Sequence, residues 1–85
     1  MPTVFFTAHL KRLAPGHPVR VEGRTVGEAL AAVFADHQTL AGYVLDDQKR
    51  RRRHVAVFID GRRAGLEDEV SANSEIAVLQ ALSGG

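Results

Sequence analysis

The chain has 85 residues, 45% hydrophobic and 25% charged, with a formal net charge of +1 and no cysteine. That length holds one domain with a small core, near the lower limit of what folds unaided. Without cysteine there is no disulfide, thiolate metal ligand or cysteine nucleophile; no apolar run is long enough to span a bilayer, and near-balanced charge argues against general nucleic-acid binding.

The opening Met1-Pro2-Thr3-Val4 has neither the basic nor the apolar region of a signal peptide, so a cytoplasmic location is the expectation. Val4, Phe6, Ala8 and Leu10 then alternate with Phe5, Thr7 and His9. That period of two predicts a strand over residues 3–10. Ala14-Pro15-Gly16-His17-Pro18 reads as a turn. Val19-Arg20-Val21-Glu22 alternates again, so the two runs should form a hairpin that Gly23 ends.

Thr25-Val26-Gly27-Glu28 has capping-box spacing, in which Thr25 accepts a backbone N–H and Glu28 reaches back to the cap residue. Val26, Ala29, Leu30, Val33 and Phe34 follow at i, i+3, i+4, i+7 and i+8. They make the apolar face of a helix running from residue 26 to about residue 36. Laid across a sheet, Leu30, Val33 and Phe34 contribute about 1.5–3 kcal/mol each by burial. Leu40, Tyr43, Val44 and Leu45 form a shorter apolar cluster, expected as a helical turn closing one end of the core.

Residues 46–53 are a charged loop. The run His54-Val55-Ala56-Val57-Phe58-Ile59 is apolar and β-branched, as an interior strand requires. Asp60-Gly61 is a hairpin signal, and Arg62-Arg63-Ala64 a brief return strand. Leu66 and Val70 should pin the acidic loop Glu67-Asp68-Glu69 to the core. After a turn at 71–74, Glu75-Ile76-Ala77-Val78-Leu79 is the last strand. This order suits a mixed sheet with one main helix on one face, an α+β roll.

The strand alternation also assigns sides. With Val4, Phe6, Val55, Val57, Ile59, Ile76 and Val78 toward the helix, Phe5, Phe58 and Leu79 face away. An apolar patch on the outside of so small a domain marks a contact surface. These three are the candidate docking residues, with the tail leaving at the rim of the patch.

Leu82-Ser83-Gly84-Gly85 follow the last strand. Two glycines have no side chain to pack and lose most freedom on ordering, so the expectation is a mobile tail that another protein grips. From Ala81 it spans roughly 16 Å at about 3.3 Å per residue. Gly85 then offers a thin carboxylate, with Gly84, Ser83 and Leu82 as the residues recognised.

Other motifs say less. Gly23 and Gly27, and Gly61 and Gly65, lack dinucleotide-fingerprint spacing, and no phosphate-binding loop is present. His9, His17, His37 and His54 have no zinc-ligand spacing, so no metal site is expected. Asp46 and Asp47, and Glu67 to Glu69, read as solvated loop carboxylates. Lys49-Arg50-Arg51-Arg52-Arg53 reads as a solvated loop, a docking patch for an acidic partner, in which Arg51, Arg52 and Arg53 would act, or a phosphate-contacting patch. The absence of interleaved aromatics puts nucleic acid last.

Three blocks resemble a known family. Val21-Glu22-Gly23-Arg24-Thr25-Val26-Gly27-Glu28-Ala29-Leu30, His54-Val55-Ala56-Val57-Phe58-Ile59-Asp60-Gly61 and Ala81-Leu82-Ser83-Gly84-Gly85 are similar, in order, to the MoaD/ThiS family of ubiquitin-like sulfur carriers. The resemblance covers nearly the whole chain. It implies a β-grasp domain over residues 1–80 and a flexible tail over 81–85. It further implies a partner adenylating enzyme of the ubiquitin-activating type, which uses ATP to activate the Gly85 carboxyl. A sulfur donor, either a sulfurtransferase or a cysteine desulfurase, then makes a thiocarboxylate. An acceptor enzyme, such as the large subunit of a synthase, takes the sulfur toward molybdopterin, thiamine, cysteine or another sulfur metabolite. The chain is then a protein co-substrate with no bound cofactor, nucleic acid or membrane, and not itself an enzyme. Two alternatives stay open: a protein modifier joined to lysines through Gly85, and a plain β-grasp interaction module.

Overall fold

The computed structural model describes residues 1–6, 18–53 and 55–80. The expected strand residues 7–10, most of the first turn, His9, His17, His54 and the tail over 81–85 lie outside that range. Within it the chain runs β1 (Thr3–Phe6), β2 (Val19–Arg20), α1 (Val26–Phe34), α2 (Gln38–Val44), β3 (Val55–Ile59), β4 (Arg62–Ala64) and β5 (Glu75–Gln80). The five strands form one sheet in the order β2-β1-β5-β3-β4. β1 and β5 are parallel, pairing Val4 with Ile76 and Phe6 with Val78, whereas β5 pairs antiparallel with β3. Parallel neighbours cannot be joined by a hairpin, so the last strand slots into the centre of the sheet after both helices have crossed one face. That is the expected mixed sheet, with a second helix added.

α1 begins as its sequence dictates. Thr25 Oγ1 accepts the Glu28 N–H at 3.1 Å. The reciprocal bond differs from expectation: the Glu28 carboxylate accepts the N–H of Arg24, one residue before the cap, at 2.9 Å. The Val26 and Gly27 N–H groups, orphans of any helix start, donate to Asp68 O at 3.0 Å and Leu66 O at 2.8 Å. The acidic loop is thus tied to α1 by its backbone as well as by the half-buried side chains of Leu66 and Val70. Thr25→Ala is expected to cost about 1 kcal/mol, measurable as a lower urea midpoint with unchanged slope. The helix stops at Phe34, two residues short of the expected 36, because Asp36 and His37 turn their N–H groups to the i−3 carbonyls of Val33 and Phe34.

The second cluster is a seven-residue helix, α2, not a single turn. Leu40 and Val44 are fully buried, but Tyr43 is 50% exposed. A helix this short turns one stripe inward, and Leu40 and Val44, four apart, take it. Tyr43 lies about 100° around from Val44 at 3.6 residues per turn, which carries it out of the cluster.

Val26, Ala29, Leu30, Val33 and Phe34 of α1 are all buried. They pack in one core with Leu40 and Val44 of α2 and with Val4, Phe6, Val55, Val57, Ile59, Ile76 and Val78 from the sheet. The β3–β4 turn has positive φ at both central residues, 50° at Asp60 and 87° at Gly61. That is the tight-hairpin geometry Asp-Gly signals. The Asp60 carboxylate also accepts the Glu75 N–H at 2.9 Å, fastening this turn to the start of β5.

Candidate functional site

Inward residues of β1, β3 and β5 are buried, so the intervening ones lie on the open face of the sheet. Phe5 stands beside Ala77 on β5. Ala77 stands beside Phe58 on β3, and Phe58 beside Arg63 on β4. One row therefore crosses the open face as phenylalanine, alanine, phenylalanine, arginine. Phe5, Phe58 and Leu79 are half-buried, and with Ala77, Glu75, Asp60 and Gly61 they line a shallow hollow of about 290 Å³. All three predicted docking residues are brought together, on the side away from the helices. The alternation read from the chain holds at each of these strands.

Two members of this surface were missed. Ala77 is the floor: with one carbon between two rings, it leaves room for a foreign side chain. Its signal was in plain view, a small residue at an outward position of the last strand. Arg63 places its guanidinium 5.9 Å from the Phe58 ring centroid, within range of a cation–π contact. Only the β3–β4 register reveals that pairing.

β5 ends at Gln80, paired with Val55 at the start of β3. Leu82, Ser83, Gly84 and Gly85 lie outside the described residues. The basic run meets the sheet at the same end, because the Val55 N–H donates to Arg52 O at 3.1 Å. Arg51, half-buried, donates from Nη1 to the carbonyl of Val55 and to that of Arg52 at 3.4 Å. Arg52 Nε donates to Gly42 O at 2.8 Å, and its N–H to Val44 O at 2.9 Å. Arg53 is exposed. Arg51 and Arg52 therefore brace the loop against α2 and β3.

The Asp46 carboxylate organises the front of the loop, accepting the N–H groups of Gln48 and Arg50, each at 2.9 Å. The Arg50 N–H, then that of Gln48 and the Arg50 charge, hold the Asp46 carboxyl below the usual carboxylate range. Among the described residues no group of three or more His, Asp or Glu side chains is placed to hold a metal ion. No helix there is long and apolar enough to cross a membrane.

Comparison with known proteins bears on this geometry. The family model described as the ThiS family matches residues 4–85. Small archaeal modifier protein 1 of Haloferax volcanii is 33% identical over 81 residues, covering 92% of this chain and 93% of that protein. A crystal structure of the Haloferax volcanii protein superposes with a TM-score of 0.82 at 32% identity, over 99% of this chain and 98% of that one. In a crystal structure of the Amycolatopsis orientalis BexX/CysO complex, a matching chain gives a TM-score of 0.84 at 26% identity, over 100% of both chains. These neighbours are ubiquitin-like, and the fold is the β-grasp.

Proposed function

The chain belongs to the ThiS family, and on that premise we propose that it is a sulfur carrier whose working group is the carboxyl of Gly85. The observation that carries this reading is that the family match continues to residue 85, five residues past the end of β5 at Gln80. The likeness to the family thus extends past β5 to the final glycine.

The chemistry follows from the acid. An α-carboxyl group titrates near 3.3–3.7, so at neutral pH Gly85 is an anion and a poor electrophile. Attack of its oxygen on the α-phosphorus of ATP expels pyrophosphate and leaves an acyl-adenylate. A sulfide equivalent from the donor then attacks the acyl carbon and AMP departs, giving a thiocarboxylate. Both steps belong to partner enzymes: an adenylating enzyme of the ubiquitin-activating type and a sulfur donor. The chain contributes a reachable carboxyl, a docking face and a core that survives the encounter. A synthase-type acceptor would collect the sulfur in molybdopterin, thiamine, cysteine or other sulfur-metabolite synthesis, in the cytoplasm.

The test is intact mass after incubation with the cognate adenylating enzyme, ATP and a sulfur source. Exchange of one oxygen for sulfur at Gly85 is expected; an unchanged mass counts against the carrier. A second reading is favoured by the 33% identity to a protein named as a modifier. In it, Gly85 ends in an isopeptide bond to lysine. Higher-mass conjugates in cells, absent when Gly85 is deleted, would support it.

Phe5, Phe58 and Leu79 are proposed to receive one large apolar side chain of the partner over Ala77. Ala77→Phe fills that hollow from an outward position and leaves the core alone. It is expected to raise the KM for the carrier by roughly 10- to 30-fold, as loss of an interface anchor does, with an unchanged melting temperature. An unchanged KM removes the hollow from the docking face.

A further inference from the structure

The 46–53 loop holds five basic and two acidic side chains, a net of +3, so the other 77 residues together carry −2. This positive loop leads into β3 at the end of the sheet where β5 finishes. Val55 is opposite Gln80 in the register, and directly opposed residues of antiparallel strands lie about 4.5–5.5 Å apart. Arg53 is two residues before Val55 and so lies within about 7 Å of it at most. The loop therefore stands beside Gln80, the last described residue before the tail.

The loop is also held in shape. The Asp46 N–H donates to Arg50 O at 2.8 Å and that of Lys49 to Asp46 O at 3.0 Å. Lys49 closes the turn with a φ of 64°, and Leu45 pairs with Arg51. Arg51 and Arg52 are tied to carbonyls, as described above. Arg52 reaches Gly42 O near the C-terminal end of α2, where the helix dipole favours a cation. Of the four arginines, the two left without a carbonyl to hold are Arg50, whose side chain is 70% exposed even while its Nε lies 3.3 Å from Asp46 Oδ2, and exposed Arg53; Lys49 is exposed beside them. Arg50 to Arg53 and Asp46 line an open hollow of about 450 Å³. A strand-like run of five cations would otherwise repel itself and splay. Here two arginines anchor the loop so that the other two are presented beside the end of β5.

We propose that the 46–53 loop is a cationic collar at the root of the tail, and that it docks on an acidic rim around the channel by which the activating enzyme admits residues 81–85. This rests on the carrier reading above. Fixed charge beside the reacting end orients the chain tail-first as it approaches, which acts on association rate more than on bound-state chemistry. A protein rim suits the collar better than a nucleic-acid backbone, because the open face of the same sheet is apolar around Phe5, Phe58 and Leu79 and the rest of the chain is net acidic.

The test takes the full chain with its cognate adenylating enzyme and measures calorimetric binding and ATP-dependent activation at low and moderate salt. R50E/R53E changes the loop from +3 to −1. It is expected to raise Kd and KM by about tenfold or more at low salt, through slower association, and to leave kcat and melting temperature unchanged. The salt dependence of the unaltered chain should largely disappear in that variant, while R50K/R53K keeps it. Normal activation with the same KM and salt slope in R50E/R53E overturns the collar and leaves the carrier reading standing. Salt-dependent binding that R50E/R53E loses, with no activation of the unaltered chain, keeps the collar and overturns the carrier reading. Neither binding nor activation overturns both. A complex with duplex DNA or RNA that R50E/R53E loses, with KM unmoved, overturns the protein rim in favour of a phosphate backbone.

Discussion

Deletion of Gly85 is expected to reduce thiocarboxylation by roughly 100-fold or more, since a reacting atom displaced by even about 1 Å can cost that much. The variant still ends in a carboxylate, now that of Gly84, so the chemical group is not lost. What changes is reach: the acid is withdrawn by about 3.3 Å, one residue of extended chain. Melting temperature should stay where it is, because the core formed by the described residues lies between Val4 and Val78. The same deletion should leave binding through Phe5, Phe58, Leu79 and the collar largely intact, making a competitive inhibitor of the full chain. Activity retained by the shortened chain, measured by intact mass, would show that the working group lies elsewhere. Loss of both activity and folding would show that the tail is part of the core.

Among the described glycines, Gly23→Ala is expected to add the most damaging methyl group. A Cβ there would lie 2.6 Å from Ala29 N, 2.9 Å from Ala29 Cα and 3.1 Å from Glu28 C. All three are backbone atoms of the first turns of α1, with no rotamer through which to move aside. Relief requires shifting the helix off a core that contains Ala29, Leu30 and Val33. Overpacking of this kind costs typically 1–3 kcal/mol, and the backbone partners place Gly23 at the upper end. At about 4–8 °C per kcal/mol for a domain this size, the melting temperature should fall by roughly 10–20 °C. Gly42→Ala is the matched control. An added Cβ there meets nothing within 4 Å, and inside an α-helix Ala is favoured over Gly by about 0.5–1 kcal/mol. Thermal unfolding of the pair should therefore move in opposite directions. A Gly23→Ala domain as stable as its parent would mean that α1 approaches residue 23 less closely.

The apolar spacing of α1, its Thr25 cap, the Asp60-Gly61 hairpin and the in–out alternation of β1, β3 and β5 were legible in the chain. Each is written in residues fewer than ten apart, where backbone geometry alone sets which side chains share a face. That same alternation was enough to collect Phe5, Phe58 and Leu79 on one surface. Tyr43 was misplaced because Leu40, Tyr43 and Val44 are apolar alike, and only the packing of so short a helix decides which of them turns inward.

By itself the sequence determined where β1, β2, β4, β5 and the main helix begin, which face of each long element is apolar, and that a glycine-ended segment follows the last strand. Tertiary structure alone decided that β5 lies between β1 and β3, which puts Ala77 between two rings and Gln80 beside Val55. It also decided that Gly23 is a point of backbone contact, and that Arg51 and Arg52 brace a loop whose neighbours are left to face outward. The physical reason is separation along the chain. Periodicity and caps are set by local dihedrals, whereas strand order, close approach and the carbonyl an arginine finds depend on partners that only folding brings near.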